Sequence, residues 1–270
     1  MLRIALKMLL GDRAKYVGLI FGITFTSFLV TFAASYFAGI MTRGYAPISE
    51  NGSVDVWVMD PAVTSVEQTT NMSLQALARV RSVAGVQSAV PLMFATADVR
   101  FPDGRYQPFQ VIGVDDATLL GMPSIQNKVM PSLLRVPDAV VIDAGGTSGK
   151  LETAMQISEQ LPQGKIDFDA PTRELTTGDE LLLNDHSVRI LGQSQGLPRF
   201  PPRPLLYTTF SNAIRILPPE RRQLTFVLVT AVPKVLPEDL AARIESATGL
   251  RARTSTAFKS DTVHCVSAEF

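Results

Sequence analysis

The sequence predicts an α+β protein in which one N-terminal transmembrane helix precedes a mixed exported domain. Three observations carry that prediction. A 27-residue run from Tyr16 to Thr42 holds no Asp, Glu, Lys, Arg or His. Beyond it, stretches alternating apolar and polar residues are interleaved with stretches of helical period and with Gly and Pro turns. A strand–helix–strand group stands near each end of that part. The 25 Lys+Arg are balanced by 25 Asp+Glu, which removes the basic footprint of a nucleic-acid binder. A single Cys excludes an internal disulfide framework, and no Cys/His cluster has zinc-ligand spacing.

As a helix, Tyr16–Thr42 would reach ~40 Å, more than the ~30 Å of a bilayer's hydrocarbon core. A cleaved signal peptide has an apolar region of only about 7–15 residues and a small-residue cleavage site, so a retained span is the better reading. Arg3, Lys7, Arg13 and Lys15 precede the span, whereas Arg43 is the only cation in the twenty residues after it. The positive-inside bias therefore puts the N-terminus in the cytoplasm and the bulk outside, in a periplasm. Past residue 42 the chain holds 21 basic and 24 acidic residues, so the exported part carries about −3. Residues 1–15 read as a cytoplasmic or interfacial amphipathic segment: Leu2, Leu6, Leu9 and Leu10 form a stripe beside Arg3 and Lys7. Within the span, Gly18 and Gly22 form a G-x-x-x-G pair and Thr26 continues their face. Small residues let helix backbones approach closely in lipid, so these three are the helix-packing candidates. Thr24, Ser27, Thr31 and Ser35 add hydroxyls that could bond across to another helix.

The core is expected over residues 43–262. Val54–Asp60 alternates as a half-buried strand. Ser73 suits the cap of a helix carrying Leu74, Leu77, Val80 and Arg81 that stops at Gly85. A long strand Val86–Phe101 meets the turn Pro102-Asp103-Gly104 and returns as Tyr106–Val114. Near the other end, Thr225–Ala231 is a strand. Pro237 opens a helix with Glu238 and Asp239 at its positive end, Gly249 closes it, and Leu250–Thr254 is a short strand. An inserted β-rich subdomain is expected over about 115–217. It holds a strand Ala139–Asp143, a helical stretch Leu151–Leu161, and a hairpin from Leu181–Leu183 through Asn184-Asp185 to Val188–Leu191. Leu197–Pro204 (LPRFPPRP) reads as an ordered proline-rich loop. Residues 263–270 form an atypical tail, of which Cys265–Phe270 resembles no helix start.

No chemistry stands out. Ala144-Gly-Gly-Thr-Ser-Gly149-Lys150 approaches a phosphate-binding loop. However, Ala144 replaces its first Gly, and Leu151 stands where Ser or Thr would hold magnesium. Asp103, Asp115 and Asp116 read as turn caps rather than catalytic or calcium ligands. His186 and His264 lack ligand-spaced partners. Catalytic, cofactor and metal residues are all expected to be absent.

The order of "MLRIALKMLLGDRAKY", one span, "DVWVMDP", "RVRSVAGVQSAVPL", "FQVIGVDDATLLGMP", "DAVVIDAGG", "GDELLLNDHSVRILG" and "TFVLVTAVPKVLPEDLAARIESATGL" resembles the MacB/FtsX/LolC superfamily of ABC transporter permeases, most closely its DevC-like branch. The resemblance covers residues 1 to about 262 and implies a MacB-like periplasmic core domain. It implies an export permease subunit that forms homo- or heterodimers in the inner membrane. A separate cytoplasmic ABC ATPase subunit would bind the ATP, and a membrane-fusion adaptor would engage the exported domain. It also implies three further helices after that domain. The chain ends at Phe270, where the next should begin, so a truncated, frameshifted or vector-derived end is expected. The rival expectation is a single-span, membrane-anchored periplasmic binding or scaffold protein.

Overall fold

In the computed structural model, residues 13–68, 70–125, 130–147, 149–154, 171–199, 201–218 and 224–269 are described. The chain divides into two units, Met1–Thr42 and Arg43–Phe270. The first holds most of helix α1 (Arg13–Gly44), which begins ahead of the expected boundary at residue 16. Its stretch Ala14–Gly44 has a mean hydropathy of 2.0 and is long and apolar enough to cross a membrane. Most of the expected amphipathic segment, residues 1–12, lies outside the described residues.

The second unit begins with a short helix α2 (Ala46–Glu50) and strand β1 (Val56–Met59). Helix α3 (Leu74–Arg81) follows. Ser73 occupies its cap position, but its side chain makes no capping bond. Leu74 is exposed, contrary to the expected stripe; Ala76 and Val80 face inward. Strands β2 (Val86–Arg100) and β3 (Tyr106–Val114) form the expected hairpin. Its turn is held by the Arg105 backbone N–H donating to Asp103 Oδ1 at 3.0 Å, with Gly104 at φ +89°.

After a 3-10 turn (Pro131–Arg135) come β4 (Ala139–Asp143) and the short pair β5 (Glu152–Ala154) and β6 (Thr172–Glu174). The helix expected from Leu151 is overturned over residues 152–154, which are extended and paired with β6. Asp103 Oδ2 accepts the Ala154 backbone N–H at 3.3 Å, a long-range contact that local periodicity does not contain. The rest of that expected helix lies outside the described residues. Strands β7 (Glu180–Leu183) and β8 (His186–Gln193) are joined by Asn184 and Asp185 at φ 49° and 65°. Two consecutive positive φ values are what a tight type I′ hairpin requires. Next come β9 (Leu205–Thr209), α4 (Phe210–Ile216) and β10 (Phe226–Ala231). Helix α5 (Pro237–Thr248) has Pro237 in its first turn and Gly249 as its left-handed cap, as expected. β11 (Arg251–Thr254) leads directly into α6 (Ser255–Glu269). The expected atypical tail is thereby corrected: residues 263–269 continue a helix whose Phe258 and Thr262 are fully buried.

The strands run β11-β1-β10-β2-β3-β9-β4-β8-β7, and β7 pairs back onto β2 through Val99↔Leu183 and Arg100↔Leu182. Six strands, β2-β3-β9-β4-β8-β7, thus close into a barrel, while the first half of β2 lies in an open sheet with β10, β1 and β11. Strand β2 changes partner at Leu92/Met93. It is buried continuously from Ala89 to Ala95, where both faces are covered, and alternates from there to Arg100. The barrel draws on β3 and the second half of β2 as well as on strands from the expected 115–217 insert, because β2 is long enough to serve both sheets. Helices α3 and α5 cover one face of the open sheet through Val80, Leu240 and Ile244. The other face carries Trp57, Phe94, Phe226 and Phe258, whose rings meet at centroid distances of 5.5–5.9 Å.

Candidate functional site

The chain enters and leaves the second unit side by side. β1 is paired to β11 in antiparallel register, and α2 packs against α6. Ser255, the first residue of α6, donates its backbone N–H to the Asp55 carbonyl at 3.1 Å and its hydroxyl to the Val54 carbonyl. The Lys259 ammonium lies 6.0 Å from the Tyr45 ring centroid, at cation–π range. Asp261 binds Arg251 at 2.8 Å and Arg253 at 3.2 Å, fixing α6 to the strand that precedes it. Phe258 roots the helix in the aromatic cluster. These contacts tie the two segments to each other.

A buried polar hub ties α2 to the strands of the domain. Glu50, the last residue of α2, accepts from the Leu197 backbone N–H at 2.6 Å and from Arg199 Nη2 at 2.7 Å. Arg199 is only 3% exposed and also donates Nη2 to the Tyr207 hydroxyl at 2.7 Å. Burial works against its charge, but Tyr207 and Glu50 outweigh that and hold the guanidinium above its ordinary pKa. Burial likewise pushes the Tyr207 phenol up. Neighbouring Asp143 accepts from Gly145 N, Ser194 Oγ and Gly196 N at 2.6–2.7 Å, so its carboxylate ties the stretch after β4 to the stretch after β8 rather than awaiting a substrate. Sequence reasoning passed over Glu50 and Arg199. The only local signal was an arginine inside an apolar, proline-rich strip.

The structure places Gly18, Gly22 and Thr26 on one face of α1, where with Leu19, Ile23 and Ser27 they line an open groove of about 400 Å³. A Cβ added at Gly18 or Gly22 meets nothing within 4 Å, so that face is bare among the described residues. Thr26 Oγ1 donates to the Gly22 carbonyl at 2.8 Å, leaving the hydroxyl as an acceptor toward any neighbouring helix. The glycine-rich stretch after β4 borders a cleft of about 450 Å³. Strand β5 follows that stretch rather than a helix, and Glu152 and Glu174 line the cleft, so neither the helix dipole nor the charge suits a phosphate. Asp115 accepts from the Thr118 backbone N–H, and Asp116 from Ser211, in structural roles. His186 opens β8 in an exposed position and His264 lies on α6. Among the described residues no group of three or more His, Cys, Asp or Glu could hold a metal ion.

No family profile and no curated protein sequence matches the chain. Solved structures do. The periplasmic region of MacB from Actinobacillus actinomycetemcomitans superposes with a TM-score of 0.50 at 11% identity, covering 78% of this chain and 92% of that one. The extracellular domain of the noncanonic ABC-type transporter YknZ from Gram-positive bacteria gives 0.44 at 10% identity, over 74% of this chain and 98% of that one. The α+β domain that follows the apolar helix therefore has the fold of the MacB periplasmic region.

Proposed function

We propose that the chain is a permease subunit of an ABC-type export transporter. It sits in the inner membrane with its N-terminus in the cytoplasm and the α+β domain in the periplasm. A separate cytoplasmic ATPase binds the ATP, a periplasmic adaptor engages the domain, and a second permease copy or homologue packs against α1. The observation that carries this reading is the pairing of a MacB-type periplasmic fold with a helix fit to span the bilayer immediately before it. The junction supports it physically. Inbound and outbound segments that are hydrogen-bonded to each other, with Glu50 locked to a buried guanidinium, transmit a push from the membrane into the sheet without slack. The lining of the Gly-rich cleft fits a chain that takes its energy from a partner subunit.

The test is purification of the full chain from its own membranes in mild detergent. The expected result is co-elution of a Walker-type ATPase, with ATP hydrolysis that is lost when that subunit's P-loop lysine is changed. A folded chain that elutes without an ATPase and without hydrolysis would refute the permease reading and favour a membrane-anchored binding protein.

A further inference from the structure

The Arg199 guanidinium is bound through one nitrogen only among the described residues. Nη2 serves both Glu50 and Tyr207, whereas Nε and Nη1 are buried and have no partner among the described residues. Leaving buried donors of a charged group unpaired carries the full desolvation penalty, so this edge is a standing demand for an acceptor. One carboxylate is within electrostatic reach of it. Glu67 lies on the loop between β1 and α3, half-buried and with no hydrogen-bond partner among the described residues. Its neighbours Val63 and Val66 are fully buried in the aromatic cluster around Trp57, and Arg251 Nη1 donates to the Val63 carbonyl at 2.9 Å, so the loop is seated beside Glu67 without the help of its carboxyl.

We propose that Glu67 is a proton-gated second partner for Arg199. Ionised, it takes the free Nε/Nη1 edge and completes a Glu50–Arg199–Glu67 triad that pins the loop and the membrane-proximal segment to one guanidinium. Protonated, it leaves the Nε/Nη1 edge without that acceptor, as the edge stands in this structure.

The charged groups around the site set the balance. Burial pushes the Glu67 carboxyl up to about 7, against the pull of Arg199 and Arg203 from the proline-rich loop. Behind Arg199 stand Glu50 on α2 and Tyr207 on β9, with Asp143 on β4 also acting on Tyr207. A raised carboxyl binds its proton more tightly when folded. The neutral arrangement is therefore favoured below the ordinary value of 4.5, and its advantage is lost as pH rises through about 7. Closing onto Arg199 is the route by which the ionised form regains an acceptor–donor match. The device would make the stiffness of the junction depend on periplasmic pH, beyond the export role itself.

The test uses the full chain in detergent micelles between pH 5.5 and 8.5. Two signals are followed: emission of Trp57, the only tryptophan, and the arginine Nε–H resonances after selective ¹⁵N-Arg labelling. The expected result is a single transition near pH 7 in both signals, with one Nε–H shifting downfield as pH rises. Both transitions should vanish in Glu67→Gln. That variant keeps His186 and His264, so any change it abolishes is not theirs. A wild-type chain with no transition overturns the proposal, as does a transition that persists in Glu67→Gln. A Trp57 transition unaccompanied by any Nε–H shift also overturns it, because Glu67 would then titrate without engaging the guanidinium.

Discussion

Replacing Phe258 by Ala tests whether α6 belongs to the core of the domain. Phe258 is fully buried, with ring centroids 5.7 Å from Trp57 and 5.9 Å from Phe226. Truncating a buried Phe removes the transfer free energy of the ring and leaves a cavity, about 3–5 kcal/mol together. Part of that sum is the ring–ring term, roughly 0.5–1.5 kcal/mol for each of the two contacts. For a unit of this size each kcal/mol moves Tm by about 2–4 °C, so the expected fall is about 6–20 °C. Phe258→Leu keeps most of the volume and should lose about a third of that. The assay is thermal unfolding of the full chain in detergent, followed by Trp57 emission, with hydrogen exchange read over residues 255–269. In the Ala variant α6 should exchange faster than the barrel strands, since its anchor has gone while the β2–β3 and β3–β9 pairings are untouched. A Tm within about 2 °C of wild type, with unchanged exchange in α6, would refute the packing argument.

Asp179 is held below the ordinary carboxylate range by its bond to Arg173, against a smaller opposing effect of burial and with help from the Thr176 backbone N–H. A depressed carboxyl stabilises the fold fully above its unfolded value of 3.8 and loses that contribution as pH falls through the lower folded value. Asp179→Asn should therefore flatten the acid limb of a Tm–pH curve; an unaltered limb would count against the pair. Asp185 has φ 65° at the β7–β8 turn, and Asp185→Gly should raise stability by up to about 1 kcal/mol, measured by denaturant titration, because relief of the left-handed strain, roughly 1–2 kcal/mol, outweighs the unfolded-state entropy that Gly adds, about 0.4–1 kcal/mol. Gly18→Leu with Gly22→Leu should weaken association between copies of the span, read as lost energy transfer between labelled chains in vesicles; undiminished transfer would remove those glycines from the interface. In spheroplasts of a Cys265→Ser background, a membrane-impermeant maleimide should label Lys150→Cys at once and Leu2→Cys only after lysis, and the reverse pattern would invert the topology.

The elements most legible in the sequence were those whose determinants are local. The charge-free run and its flanking cations specify a span and an expected orientation. Alternation and turn chemistry specify the β2–β3 and β7–β8 hairpins, because Pro102-Asp103-Gly104 and Asn184-Asp185 can each adopt only a few backbone conformations. Pro237, Glu238 and Gly249 delimit α5 by capping physics alone. What the sequence left undecided rests on pairs far apart in the chain. Glu50 and Arg199 are 149 residues apart, and neither looks unusual where it stands. Residues 152–154 were misjudged because their state is settled by β6 and by Asp103, about fifty residues upstream. Closure of the barrel depends on two residues of β2 meeting β7, and α6 is a domain helix because Phe258 finds Trp57 and Phe226. A chain's local pattern sets which faces want burial. Only the assembled tertiary structure decides which distant surface satisfies each of them, and in this protein that choice joined α2 and α6 to the sheet.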